Sequence, residues 1–302
     1  MDTMSKEQRS RTMAAVRSKG TEPENMLCDA LREAGVEARR NVKGLPGTPD
    51  LWLPDARVAI FVDGEFWHRC PVHSKKVKSD PDGFWREKFA RNVERDRRNE
   101  RDVIMAGAIP VRVWECEVRR RPATVAREIA LLRRAVVDGR TCLADLAWMA
   151  GFVDGEGTVT IFAGRKVHIG TPHVCVANNH YGACERFKTA FGFGSVSKWS
   201  KKRKRLLKWR TGGARRCGVV LRWLKCFLVL KRPQAEVVSI FGSTVQTDMH
   251  RSKAISGKVL KERRLILKAV RSLNGRGRAD SWRRRLSQAA RRSWKLSRGI
   301  ST

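Results

Sequence analysis

Residues 143–157 constrain the fold of this chain more than any other stretch. The run 143–153 is apolar almost all round, so the spacing predicts a helix buried on most of its surface. The segment Met149-Ala-Gly-Phe-Val-Asp-Gly-Glu-Gly157 stays helix-compatible up to Asp154, and Gly155 and Gly157 then break it. Glu156 is left at the helix end, directly before a strand expected over Gly157–Phe162. The small residues Ala150 and Gly151 would let two such helices pack closely and set two end-of-helix acids side by side over a metal pair. The plainer alternative is a buried helix with a glycine-rich C-terminal cap.

A second acidic station lies earlier. Pro49-Asp50 opens a strand over Asp50–Leu53, and Asp63-Gly64-Glu65 follows a strand over Arg57–Val62, with Pro54-Asp55 turning between them. Metal-assisted phosphodiester cleavage needs carboxylates on one metal, an activated water and positive charge at the transition state. The spacing is a loose version of the PD…(D/E)xK pattern, with Glu65 at the place of the lysine. His68, three residues on, can serve as the general acid or base instead. The alternative is a hairpin with acids at its solvated ends.

Composition narrows the partner. Lysine and arginine number 64 against 30 acids in 302 residues, a net charge of +34. That excess is the footprint of a protein that meets a polyanion. No run of about 18 apolar residues implies a membrane span, and MDTMSKEQRSRTM has no apolar signal-peptide core, so a soluble, cytoplasmic protein is expected. The eight cysteines lack a disulfide rhythm and read as buried thiols, with Cys70 and Cys116 as exceptions. The ten tryptophans can stack on bases, although most should be packing.

Along the chain, 7–18 reads as a basic helical arm, Glu22–Ala34 as an amphipathic helix, 84–106 as a long charged helix, Ile109–Trp114 as a buried strand and 123–138 as a helix. Asp138-Gly-Arg140 is the expected linker. The second half adds a strand over Pro172–Ala177, a helix over Cys184–Phe191, a hairpin of Val196–Trp199 and Leu206–Trp209, and helices over Cys217–Leu230 and Gln234–Phe241. Its order is αββαββα. The expected domains are 1–138, 139–275 and a basic tail, 276–302. Residues 198–216 hold ten lysines or arginines and no acid. As a hairpin they would touch phosphates and read bases, with Lys208 and Arg210 on the strand as the base-reading candidates. The alternative is a basic loop that binds phosphate nonspecifically.

RSRTMAAVRSKGTEPE, LPGTPDLWL, VAIFVDGEFWHRCPVH, FWREKFARNVERDRR and VRVWECE, in that order and separation, resemble the very short patch repair (Vsr-type) endonucleases over about residues 5–122. The resemblance implies a restriction-endonuclease-like α/β fold and Mg²⁺-dependent strand cleavage. It implies Asp50 as the metal-binding carboxylate, the carbonyl of Val62 as a second ligand, His68 as the catalytic histidine, Glu24 as an outer-shell water holder and Asp96 as a further acid of the site. Many members carry a histidine where this chain has Asp63, and an acid there could recruit metal directly or alter the acid–base step. A structural Zn²⁺ site is also implied at Cys70, His73 and Cys116, with Glu65 replacing a usual cysteine; the alternative is two buried thiols and a surface histidine. Phe66, Trp67 and Trp85 align with aromatics that wedge into DNA in the relatives, against a plain packing role.

Met149–Gly157, with HVCVANNHYGACERFKTAFGFGSV and FLVLKRPQAEVV, resembles the LAGLIDADG homing endonucleases over about 130 residues. That resemblance implies an α+β αββαββα fold with its strands in the DNA major groove. Glu156 would be the acid that binds Mg²⁺, and Lys231 the lysine lining the pocket. A single motif copy implies a homodimer through that helix. The expected function is a sequence-specific, Mg²⁺-dependent endonuclease of homing type acting on double-stranded DNA. A mismatch-directed repair nickase and a non-cleaving, RNA-binding splicing helper are the alternatives.

Overall fold

The computed structural model describes residues 19–74, 77, 80, 83–163, 170–199, 206–245 and 256–274. The basic arm at 7–18 and the tail at 276–302 lie outside them. Two compact units divide the chain, the first ending at Ala126 and the second running from Arg127 to Arg285. The break falls upstream of the Asp138-Gly-Arg140 segment, within a helix. No helix among the described residues is long and apolar enough to cross a membrane.

The first unit opens with α1 (Glu22–Glu33), which packs against α3 (Glu115–Arg120). Its sheet runs in the order β1 (Arg39–Arg40), β2 (Leu51–Leu53), β3 (Val58–Asp63), β4 (Ile109–Trp114). β1, β2 and β3 are antiparallel, whereas β3 and β4 are parallel. A parallel pair needs a crossover, and α2 (Phe84–Met105) supplies it. β2 and β4 are buried at every position, which is the pattern of strands covered on both faces. Trp52, Ala59, Phe61, Val103 and Ala108 form one side of that core. Arg57 closes the β2–β3 turn with φ at 50°. Its guanidinium donates to the carbonyls of Ala106 and Gly107 at 2.7 and 2.9 Å, which satisfies the end of α2.

The second unit follows the order α5 (Leu143–Glu156), β5 (Gly157–Ala163), β6 (Gly170–Asn178), α6 (Tyr181–Phe191), β7 (Ser195–Lys198), β8 (Leu207–Gly212), α7 (Ala214–Leu224), as the αββαββα reading expected. Two further helices complete it, α8 (Arg232–Thr244) and α9 (Gly257–Asn274), and α4 (Pro122–Val137) leads into it. The sheet is antiparallel throughout, in the order β5-β6-β8-β7. Val159, Ile161, Val174, Val176 and Trp209 point to the helix side and are buried. Thr158, Phe162, Thr171 and Arg210 alternate with them and are exposed. Trp209 stacks on Phe191 and lies tilted against Phe187, and its indole donates to the Phe193 carbonyl at 3.2 Å. Gly194, at φ +94°, passes so close to that indole that a Cβ would lie 2.3 Å from it. Glu128 of α4 and Arg222 of α7 form an ion pair at 3.1 Å with both side chains 2 % exposed.

Helix α5 differs from expectation in two ways. It runs through Gly155 to Glu156, and only Gly157 leaves the helix. Ala150 is fully buried in its own unit, whereas Ala144, Ala147, Gly151 and Gly155 are exposed. At about 100° per residue, Ala150 and Gly151 cannot share a face. The small-residue stripe therefore lies at 144, 147, 151 and 155, and nothing approaches a Cβ position at Gly151 or Gly155.

Candidate functional site

In the first unit, antiparallel β2 and β3 bring Asp50 and Asp63 to the same end of the sheet, beside an open cleft. Glu24, Asp50, Val62, Asp63, Trp67, His68 and Asp96 all line it. The β2–β3 ladder stops at Leu51↔Ile60. Val62 extends it by donating its N–H to Asp50 Oδ2 at 2.7 Å. A strand residue turns its N–H and C=O to the same edge, so the Val62 carbonyl faces that edge too.

Asp50 is buried beside other acids. Burial pushes its carboxyl up to about 7, and nearby Glu24 and Asp63 add to the rise, against the opposing Val62 hydrogen bond and Arg112. Glu24, 5 % exposed, accepts from the Gly20 N–H at 2.8 Å and the Thr21 hydroxyl at 2.7 Å. It closes the start of α1 and faces the cleft at once.

His68 and Asp96 form a dyad, with His68 Nδ1 2.5 Å from Asp96 Oδ2. Burial pulls the imidazole pKa down, but the Asp96 hydrogen bond and the Asp63 and Asp96 charges outweigh it and raise it. Asp96 is lowered: burial opposes, and the His68 hydrogen bond and the Arg112 charge prevail. Asp63, His68 and Asp96 bring their ligand atoms within 4.8 Å of one another. That grouping is also an ion-pair network with Arg112. Both oxygens of Asp63 are held by Arg112, at 2.6 Å from Nε and 2.5 Å from the terminal nitrogen. Of the two roles open to Asp63, recruiting metal or altering the acid–base step, the Arg112 fork and the nearby His68 ring favour the second, although each oxygen keeps a lone pair beyond the one that the fork uses.

Phe66, Trp67, Trp85 and Phe89 interlock, with Phe66 edge-on to Trp67 at 5.0 Å and to Trp85 at 5.3 Å. Lys88, which lines the cleft, lies 5.0 Å over the Trp67 ring. The sequence reading missed Lys88 and Arg112. Lys88 had a signal, its one-turn spacing from Trp85.

A second cluster joins Cys70, His73 and Cys116, with ligand atoms within 4.8 Å. Cys70 Sγ is 3.7 Å from His73 Nδ1, and Glu65 Oε1 is 3.9 Å from that nitrogen. Both separations are near the roughly 3.4–3.8 Å edges that zinc–ligand bond lengths give a tetrahedron. The Cys70 thiol is pulled down to about 6, chiefly by its hydrogen bond with Cys116, and Cys116 is pushed up by the same bond.

In the second unit, Glu156 ends α5 and is exposed. Asp154 instead holds the loop that leads into α8, its carboxylate accepting from the N–H groups of Val229 and Lys231 at 2.7 and 2.8 Å. The Lys231 ammonium donates to the Asp154 carbonyl. Desolvation lowers the Lys231 pKa, against the pull of Asp154 and Glu156. Lys208 and Arg210 share the open face of β8, where Arg210 pairs with Cys175 of β6 and Ser195 of β7. Lys208 Nζ lies 5.5 Å over the Trp199 ring. His173, on the same open face of β6, lies edge-on to exposed Phe162 at 4.8 Å. Gly212 leaves room for its imidazole, since a Cβ there would be 2.7 Å away.

A mixed sheet with acids at the meeting of two antiparallel strand ends, and a histidine–aspartate dyad facing them, defines a restriction-endonuclease-like unit. Known proteins give its family: the family model "DNA mismatch endonuclease Vsr" matches residues 1–74. The type II nicking enzyme V.HpaIIP of Haemophilus parainfluenzae is 37 % identical over 141 residues, 45 % of this chain and 99 % of that protein. The DNA mismatch endonuclease Vsr of Escherichia coli K12 is 37 % identical over 120 residues, 40 % of this chain and 77 % of that protein. The chain belongs to the Vsr endonuclease family. Among solved structures, the homing endonuclease I-CvuI aligns at 22 % identity and a TM-score of 0.38, over 49 % of this chain and 95 % of that chain. The archaeal intron-encoded homing endonuclease I-Vdi141I aligns at 12 % identity and a TM-score of 0.39, over 44 % and 86 %.

Proposed function

We propose that the chain is a sequence-specific, Mg²⁺-dependent endonuclease of homing type, in which residues 1–138 cut double-stranded DNA and residues 139–275 address and dimerise. The observation that carries this is the cleft of the first unit. It sets a carboxyl raised to about 7 (Asp50) among other acids and beside the His68–Asp96 dyad. Such a donor set fits a hard divalent cation, and Asp50 with the Val62 carbonyl would hold it. Mg²⁺, when bound, supplies Lewis-acid charge at the scissile phosphate. His68, oriented by Asp96, moves the proton of the displacement, while Glu24 orders water at the rim. Cys70, His73, Cys116 and Glu65 would hold a structural Zn²⁺ behind that site.

In the second unit, the open sheet face with Lys208 and Arg210 fits the major groove, where a bidentate arginine reads guanine. The small-residue face of α5 fits a second copy of itself, which would bring two Glu156 carboxylates together over metal, with Lys231 beside each. The experiment is cleavage mapping on a randomised duplex library with wild type, Asp50→Ala and Glu156→Gln. Asp50→Ala is expected to abolish cutting. If neither variant lowers cutting, the assignment is wrong.

A second reading, a nickase directed to mismatches, is favoured by the relatives named as nicking enzymes and by the Phe66–Trp67–Trp85 cluster beside the cleft. It requires mismatched duplex to be cut far faster than matched duplex of the same sequence.

A further inference from the structure

We infer that Arg112 is the positioning residue of the first unit's site. Acting through Asp96, it fixes which nitrogen of His68 faces the cleft. Arg112 is 5 % exposed on β4. A guanidinium buried to that degree is tolerated only when its donors are paired. Its fork grips Asp63 at 2.6 and 2.5 Å. The same terminal nitrogen lies 3.3 Å from Asp96 Oδ1, the other donates to the Asp96 carbonyl at 3.4 Å, and Nε lies 3.6 Å from Glu100 Oε1. Asp96 is thus held by both its carboxylate and its backbone. Its remaining oxygen, Oδ2, takes the Nδ1 proton of His68 at 2.5 Å. An imidazole held in this way keeps Nε2 for the cleft.

Asp63 is the competitor. Its Oδ1 stands 3.6 Å from the same Nδ1. With Arg112 in place, the Asp63 oxygens are committed to the fork and Asp96 takes the imidazole. Without it, Asp63, Asp96 and Glu100 share the patch with only the half-exposed Arg95, 3.6 Å from Asp96 Oδ1, as a cation, and Asp96 loses the buried contacts that hold it on Nδ1. Arg112 therefore decides the partner of His68, and does more than neutralise Asp63.

The kinetic arm of the test rests on the nuclease reading; the spectroscopic arm does not. Histidine-labelled wild type, R112M, R112K and the charge-balanced double variant D63N/R112M are compared by long-range ¹H–¹⁵N spectra at alkaline pH, with His68→Gln assigning the signal. Wild type should show a single neutral form protonated on Nδ1. R112M and the double variant should show a mixture of tautomers. On cleaved DNA, both should lose kcat by about 10–100-fold, the usual cost of removing a group that orients a site histidine, with DNA affinity unchanged. R112K, which keeps the charge and loses the fork, should recover part of the rate. A double variant with one Nδ1-protonated form and wild-type kcat would overturn the inference, because charge balance alone would then suffice. Should R112M fail to fold, R112K and the double variant carry the comparison. A wild type that cuts no DNA still yields the tautomer result.

Discussion

Asp50→Asn should make the metal-free protein more stable and inactive at once. In the folded chain burial first, then Glu24 and Asp63, raise the Asp50 carboxyl from 3.8 to about 7. Below pH about 4 the group is protonated in both states and contributes nothing to the pH dependence. As pH rises, the unfolded chain loses its proton first, so the folded state binds more protons and stability falls. The loss grows from about pH 4 and is complete above about pH 7. A shift of about 3 units at 1.36 kcal/mol each gives about 4 kcal/mol, reduced to about 2–4 because the cleft admits solvent. Asparagine keeps the acceptor for the Val62 N–H and removes the charge, so it should recover that loss.

The two units need not unfold together, so one melting temperature would mix them. Hydrogen exchange in peptides spanning 51–63, in EDTA at pH 5 and pH 8, isolates the strands beside Asp50. Wild-type protection should fall between these pH values and Asp50→Asn protection should not, with the variant ahead at pH 8. Mg²⁺ should then restore protection to wild type alone. Equal protection of both proteins at pH 8 in EDTA would show that the cleft does not strain its carboxylate. Equal response to Mg²⁺ would remove Asp50 from the metal site.

Three further outcomes follow. Gly151→Leu or Ala147→Glu should convert a dimer to monomer in sedimentation, with the fold of the second unit intact by circular dichroism; a dimer that survives both points to another face. Arg222→Met should destabilise the second unit by about 3–5 kcal/mol in urea, because the buried Glu128 loses the guanidinium that pairs with it at 3.1 Å, and Glu128→Gln/Arg222→Met should recover most of it. Cys116→Ala should lose the roughly one zinc per chain that elemental analysis of wild type should find, with the fall in affinity about 10–100-fold or more.

Most of the elements were legible because burial imposed a period. The apolar runs at 51–53, 58–62 and 109–114 and the helical spacings at 22–33 and 84–105 carry their own signal. Three elements did not. β1 is two arginines, with no alternation to read. α3 is six mostly charged residues directly after β4, too short to carry a helical period. α9 is basic on its outer face and follows a long stretch of weak pattern. In the site, Asp50 and His68 were legible from the spacing of acids about two strands, whereas Glu24 and Asp96, from two other segments, were legible only through family motifs. Arg112 had no signal. In Ile-Pro-Val-Arg-Val-Trp it reads as the polar position of a strand. It is buried because Asp63 lies 49 positions away in sequence and 2.5 Å away in space. Periodicity reports which face a residue takes, not which charges converge there.

The two units handle their acids by opposite means, and that difference bears on the proposed division of labour. In the first, a buried arginine compensates Asp63, Asp96 and Glu100, and Asp50 is the carboxyl left raised and facing a cleft. Every protein group the proposed reaction uses comes from one chain. In the second, Glu156 is exposed at a helix end, and the nearby lysine is turned to the Asp154 carbonyl. One exposed carboxylate binds a divalent cation weakly, because affinity in such sites grows with the number of charged ligands and their rigidity. The exposed stripe of Ala144, Ala147, Gly151 and Gly155 is on the same helix as Glu156, so pairing two copies through it would double the acids at one point. Cutting by the first unit should then be independent of protein concentration once DNA is saturated, whereas any cutting that depends on Glu156 should vanish with the dimer. Gly151→Leu separates the two: Asp50-dependent cleavage survives it, and Glu156-dependent cleavage does not.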